Sequence, residues 1–162
     1  MGFSKIKAQK AQYRESNIIQ LKEKLKTSSR SKITIYNYLG WKYFFTAAEA
    51  LTKNTLNLIE NKYTRNSILP CQSDVKDGLI KMVLYSNLSS VEIEGVSVNS
   101  LAVLRLTSDK FIGSISSKSA EEDIIDSFST NNLSKKQTVF AECLFKEAVY
   151  NNFLIEICGI KE

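Results

Sequence analysis

The chain has 162 residues, 43% of them hydrophobic and 24% charged, which is typical of one soluble globular domain. It contains no histidine, so the commonest general base and the commonest metal ligand are both missing. Cys71, Cys143 and Cys158 are widely spaced and lack the partners of a zinc site, so we predict free thiols, no metal and no cofactor. We expect a reducing, cytoplasmic location and no integral membrane contact, because we find no secretory signal and no apolar run of about 18 residues.

The positive charge is concentrated near the N-terminus. The net charge is +5, but residues 1–43 contain ten Lys or Arg against two acidic residues, whereas residues 44–162 contain twelve against fifteen. The two parts therefore carry +8 and −3, the pattern expected when one surface meets a polyanion. We predict a basic N-terminal helix or arm over residues 1–30 and a single α+β domain over residues 31–162.

The composition of residues 4–27 predicts a helix, because Ala, Gln, Lys, Glu and Leu dominate and no Gly or Pro interrupts them. Its apolar residues Ile18, Leu21 and Leu25 would dock it, either on the body of the protein or on a partner chain. We predict that nucleic acid contacts the basic side chains of this helix and of the segment after it, with two tyrosines that can stack on unpaired bases. This set comprises Lys5, Lys7, Lys10, Arg14, Lys22, Lys24, Lys26, Arg30, Lys32, Tyr36, Tyr38 and Lys42.

The aromatic-rich segment that follows allows two interpretations. Ile33, Thr34 and Ile35 favour a short strand, whereas the apolar spacing from Tyr36 to Leu51 favours a helix. We predict the helix, ending near Tyr63 or Arg65.

The rest of the chain predicts helices around a small antiparallel sheet of three to four strands. Ser73 is predicted to cap a helix, and Ser119 and Ser134 to cap two more. Residues 91–98, 101–107 and 110–116 predict a three-stranded meander, which residues 153–160 join as a final strand. The expected fold class is α+β. The apolar stripe of the first of these helices would consist of Val75, Leu79, Ile80, Val83 and Leu84.

No catalytic set is evident in the sequence. Glu92 and Glu94, with Asp109 nearby, have the strand spacing of a cation site such as nucleases use, but the same alternation is the ordinary solvent-facing pattern of a half-buried strand. No glycine-rich phosphate loop is present. We therefore predict that the protein is not an enzyme.

The charge pattern predicts a non-enzymatic nucleic-acid-associated protein, acting as one component of an oligomer or larger assembly. Contacts of six to eight basic residues with duplex phosphates would give log affinity against log salt a slope of roughly −5 to −7. The alternative is a protein interaction or scaffold module in which Ile18, Leu21 and Leu25 form an apolar seam with a partner. A third interpretation is an anionic membrane surface contacted by Phe3 and Ile6. The plainest one is a solvated lysine-rich helix.

Overall fold

The structure is a computed structural model that describes residues 30–36, 42–52, 55–88, 91–93 and 96–160. Of these, residues 30–36, 42–52, 92–93 and 96 are described by their backbone. Within the described ranges the chain forms a mixed α+β fold. The elements in chain order are β1 Arg30–Tyr36, β2 Lys42–Thr52, β3 Thr55–Thr64, α1 Gln72–Ser86, β4 Glu92–Ile93, β5 Val96–Ser97, β6 Asn99–Ser108, β7 Ser114–Ser116, α2 Glu121–Thr130, α3 Lys135–Tyr150 and β8 Leu154–Gly159.

Six strands form one mixed sheet in the order β1-β2-β3-β6-β8-β7, and β4 pairs with β5 in a separate two-stranded sheet. β1, β2 and β3 form an antiparallel meander. β6 is parallel to both of its neighbours, β3 and β8, while β7 joins β8 antiparallel. Parallel neighbours require a long crossover connection. Accordingly α1 lies between β3 and β6 in the chain, and α2 and α3 precede β8.

All three helices contribute to one hydrophobic core on a single face of the sheet, which we call the helical face. It is formed by alternate residues of the strands, such as Leu58 on β3, Leu104 on β6 and Ile155 on β8, which pack with residues such as Met82 of α1 and Ala141 of α3. Burying a side chain of this size stabilises the fold by about 1.5–3 kcal/mol. The opposite face carries the residues in between, including Ile59, Val103 and Arg105.

Gly78 sets the distance between α1 and the sheet. A Cβ atom at this position would lie 2.6 Å from Leu104 Cδ1 and 3.3 Å from Lys62 Cε. A glycine therefore lets the helix approach β3 and β6 closely, and α1 presents Val75, Met82 and Tyr85 to the core around it.

The prediction of a helix between residues 33 and 62 is wrong. This part of the chain forms β1, β2 and β3, and the strand alternative for Ile33 to Ile35 is the one that the structure has. Its β-branched and aromatic residues suit a pleated strand, and cross-strand pairs such as Ile33 with Phe45 give them neighbours that a single helix would not.

The predicted meander of residues 91–116 is also wrong in its pairing. β6 and β7 are not neighbours, because β8 lies between them. The final strand itself is confirmed as Leu154–Gly159, although it enters the sheet parallel to β6. The sheet is thus larger than predicted and mixed, whereas the α+β class is confirmed.

The three helices predicted after residue 70 are present, and the predicted N-cap residue is correct for one of them. Ser134 caps α3 in a capping box with Gln137. The other two starts differ by one or two residues, since the N-cap of α1 is Cys71 instead of Ser73 and the N-cap of α2 is Ala120 instead of Ser119. In α1, Ile80 and Val83 are exposed, contrary to the predicted stripe.

Candidate functional site

A buried carboxylate lies in the middle of β3, on the helical face. Strand alternation places Glu60 on the same side as Leu58 and Lys62, two residues before and after it. The Glu60 side chain is 11% exposed. A glutamate so deeply buried is rare in proteins unless it is paired.

Two lysines pair with this carboxylate from different elements. Lys62 Nζ, on the same strand, lies 3.0 Å from Glu60 Oε1. Lys81 Nζ, on α1, donates a hydrogen bond to Glu60 Oε2 at 2.8 Å. The exposed fraction is 17% for the Lys62 side chain and 35% for Lys81. We call Glu60, Lys62 and Lys81 the Glu60 cluster.

The Glu60 cluster has a formal charge of +1, because two ammonium groups face one carboxylate. Removing three charged groups from water costs several kcal/mol per ion, and their attraction often does no more than offset that cost. The excess positive charge suits an anionic ligand such as a phosphate.

Tyr85 follows Lys81 by one turn of α1 and is 1% exposed. Its hydroxyl is buried, and no protein group among the described residues forms a hydrogen bond with it. Burial, and then the charge of Glu60, raise the pKa of Tyr85 to about 12. The phenol is therefore protonated at neutral pH and is available as a hydrogen-bond donor close to the cluster.

Glu49 of β2 is opposite Leu58 in the register of β2 and β3, so this position lies on the same face of the sheet as Glu60.

Four of the predicted nucleic-acid contacts lie together on the opposite face. Arg30, Lys32 and Tyr36 alternate along β1, and Lys42 of β2 pairs with Tyr36. We call these four the hairpin set. By register they lie on the face of the sheet away from Glu60. The structure does not bring the hairpin set to the Glu60 cluster.

The remaining predicted site residues lie outside the described part of the chain. Their roles as nucleic-acid contacts or as an apolar seam therefore stay predictions. They are Lys5, Lys7, Lys10, Arg14, Lys22, Lys24, Lys26 and Tyr38 in the first role and Ile18, Leu21 and Leu25 in the second. Glu94 of the weighed acidic pair also lies there, while Asp109 accepts a hydrogen bond from the Tyr63 hydroxyl at 2.9 Å.

A surface pocket of about 280 Å³ lies where β3 leads into α1. Its lining includes Thr64, Cys71, Lys136 and Phe140. Cys71 and Cys143 are exposed, Cys158 is half-buried, and none of the three is paired in a disulfide. The pocket carries the exposed thiol of Cys71, the N-cap residue of α1.

Glu60, Lys62, Lys81 and Tyr85 were not among the residues predicted from the sequence. Glu60 and Lys62 were assigned to a helix, on which residues two apart point in different directions. The signal that could have found them is the period of two in Leu56, Leu58, Glu60 and Lys62, which puts a carboxylate in line with core leucines.

No family model, no curated protein and no solved structure matches this chain. Among the residues that the structure describes, no three His, Cys, Asp or Glu side chains are grouped to hold a metal ion. In the same ranges, every helix is too short or too polar to cross a membrane.

Proposed function

We propose that this protein binds nucleic acid by contacting its phosphates. The observation that carries this proposal is the hairpin set, in which Arg30, Lys32 and Lys42 share one face of the sheet by register. On the helical face, the Glu60 cluster adds a formal charge of +1. The proposal keeps the predicted class of partner and the predicted non-enzymatic role.

The charge of the chain supports nucleic acid as the partner. The excess of +8 over residues 1–43 favours a polyanion over a small phosphate ester. Phosphate contacts of this kind give affinity without reading the base sequence.

The test is fluorescence-anisotropy binding of the full chain to duplex DNA, single-stranded DNA and single-stranded RNA over a range of salt concentrations. Replacing Arg30, Lys32 and Lys42 by Gln should reduce the magnitude of the salt slope on duplex DNA by roughly 2.7 if each contacts one phosphate. An unchanged slope would remove the hairpin set from the interface, and no binding by the wild type at low salt would contradict the proposal.

The matched control removes the same charge from the helices. Lys76 of α1 and Lys135 and Lys146 of α3 are exposed, and replacing these three by Gln should leave the salt slope unchanged. An equal fall in the slope would show that net charge alone sets the affinity, which would also contradict the proposal.

A further inference from the structure

Two apolar residues are buried on the face of the sheet opposite to the helices. Ile59 of β3 is 4% exposed and Val103 of β6 is 1% exposed. They are direct neighbours in the parallel ladder, and the register continues to Leu154 of β8, which is half-buried. We call Ile59, Val103 and Leu154 the outer row. Residues as little exposed as the first two have other atoms packed above them, because side chains on a bare sheet face point into water.

The described elements do not provide that cover. The three helices pack on the helical face, and Ile59 and Val103 are not part of the core that they form. Val91 and Val98, which flank the two-stranded sheet of β4 and β5, also pack against that core. The strands of the six-stranded sheet lie beside the outer row and not above it. Parallel strands such as β6 are normally covered on both faces, so the cover comes from outside the described ranges.

The N-terminal segment is the part of the chain that can supply this cover. Residues 1–29 are the longest stretch outside the described ranges. They lead into β1 at Arg30, which pairs with Ala48, and Ala48 pairs with Ile59, so the chain enters the sheet in line with the outer row. Arg30 is two strand spacings, or about 9.5 Å, from Ile59. The five residues from Leu25 to Arg30 can span about 17 Å, so Leu25 reaches the row.

We propose that residues 4–27 dock on the outer row of the same chain through their apolar residues Ile18, Leu21 and Leu25. On the helix that the sequence predicts, these three positions span roughly 10 Å, which is the width of a row of three strands. The docking assigns this apolar set to the body of the chain and not to a partner. It does not rest on nucleic-acid binding. The outer row occupies β3, β6 and β8, so the hairpin set on β1 and β2 lies beside the docked segment.

The test is paramagnetic relaxation enhancement in the full chain, without nucleic acid. The three native cysteines are first replaced by serine, namely Cys71, Cys143 and Cys158. A nitroxide is then attached to Lys22→Cys. We expect loss of the methyl signals of Val103, whereas those of Val149, which is 65% exposed on α3, remain. The matched control is a nitroxide on Lys146→Cys of α3, which should give the reverse result. The methyl spectrum after reduction of the nitroxide shows that each variant is folded.

Two substitutions in the chain labelled at Lys22→Cys test the contact itself. Leu21→Asp should restore the Val103 signals, whereas Gln20→Asp, at the neighbouring polar position, should not. Val103 signals that survive the nitroxide in the parent chain, or that Leu21→Asp leaves suppressed, would overturn the docking. A mixture of nitroxide-labelled chains with isotope-labelled chains should leave the Val103 signals intact. Their loss in that mixture would mean that the segment of a second copy occupies the row, which also overturns the proposal.

Discussion

Removing the charge of Glu60 should destabilise the protein more than removing either lysine. In Glu60→Gln, the ammonium groups of Lys62 and Lys81 lose the carboxylate that lies within 3.0 Å of each. Breaking a buried ion pair from one side costs about 3–5 kcal/mol. We expect Glu60→Gln to lower the free energy of unfolding by about 3 kcal/mol, the lower end of this range. The glutamine oxygen still accepts one hydrogen bond, and Lys81 is 35% exposed and partly solvated.

The two lysine variants should rank by burial. Lys62→Met removes a partner that is 17% exposed and should lower the free energy of unfolding by about 1.5–2 kcal/mol, the lower part of the range for a hydrogen bond to a charged group. Lys81→Met removes the more exposed partner and should cost less than about 1 kcal/mol. Methionine retains most of the aliphatic stem in both cases, so that packing changes little.

Urea unfolding at pH 7, followed by circular dichroism, measures the three free energies of unfolding. The slope of the free energy against urea should be the same in all variants if the unfolded states are comparable. Lys81→Met should cost less in the Glu60→Gln background than alone, since there it removes an unpaired charge. The reasoning is refuted if Glu60→Gln lies within about 0.5 kcal/mol of the wild type, or if Lys81→Met costs as much as Glu60→Gln.

Three further predictions concern other parts of the fold. Because the pKa of Tyr85 is raised to about 12, the folded chain keeps a proton that the unfolded chain loses above pH 10. The contribution of Tyr85 to the free energy of unfolding is therefore full below pH 10 and falls by roughly 1.4 kcal/mol per pH unit between pH 10 and 12. Urea unfolding of the wild type and of Tyr85→Phe tests this, and a difference in free energy that stays constant across this pH range would contradict it. Asn131 is 6% exposed, and its side-chain amide forms two hydrogen bonds with the Ile112 backbone and one with Ser127 O. Asn131→Ala should therefore lower the free energy of unfolding by about 2–3 kcal/mol, whereas Asn151→Ala, at the exposed end of α3, should lower it by less than about 0.5 kcal/mol. Equal losses of stability in thermal unfolding would contradict this prediction. Burial is the main cause that raises the pKa of the Cys158 thiol, whereas Cys71 and Cys143 are exposed. Iodoacetamide at pH 8 should therefore alkylate Cys71 and Cys143 before Cys158, which peptide mass spectrometry can measure. Faster alkylation of Cys158 would contradict this prediction.

The elements that the sequence predicted well are those that depend on neighbouring residues. α3 is the clearest case, because Ser134 and Gln137 form its capping box three residues apart and the signal needs no information from the rest of the chain. The final strand was also recognised from the alternation of Phe153, Ile155 and Ile157, all of which are buried. Both predictions rest on local periodicity.

The sheet could not be predicted in the same way, because its order depends on distant pairings. β6 is parallel to β3 and to β8, and several of its residues are buried on both faces, so Ala102, Val103 and Leu104 form an apolar run with no alternation to reveal its neighbours. The Glu60 cluster depends on the same pairings. Lys81 reaches Glu60 because α1 crosses over β3, and nothing in the spacing of the two residues indicates that contact.

The position of β8 has a consequence for how the protein folds. β8 lies between β6 and β7 in the sheet, but it follows both of them in the chain. Until α2 and α3 have packed on the sheet and β8 has inserted, β7 has no strand to pair with and one edge of β6 is unpaired. Bare strand edges are templates for pairing with other chains. The docking of these two helices therefore sets how long a half-built sheet is open to aggregation, and the yield of refolded protein should fall as its concentration rises.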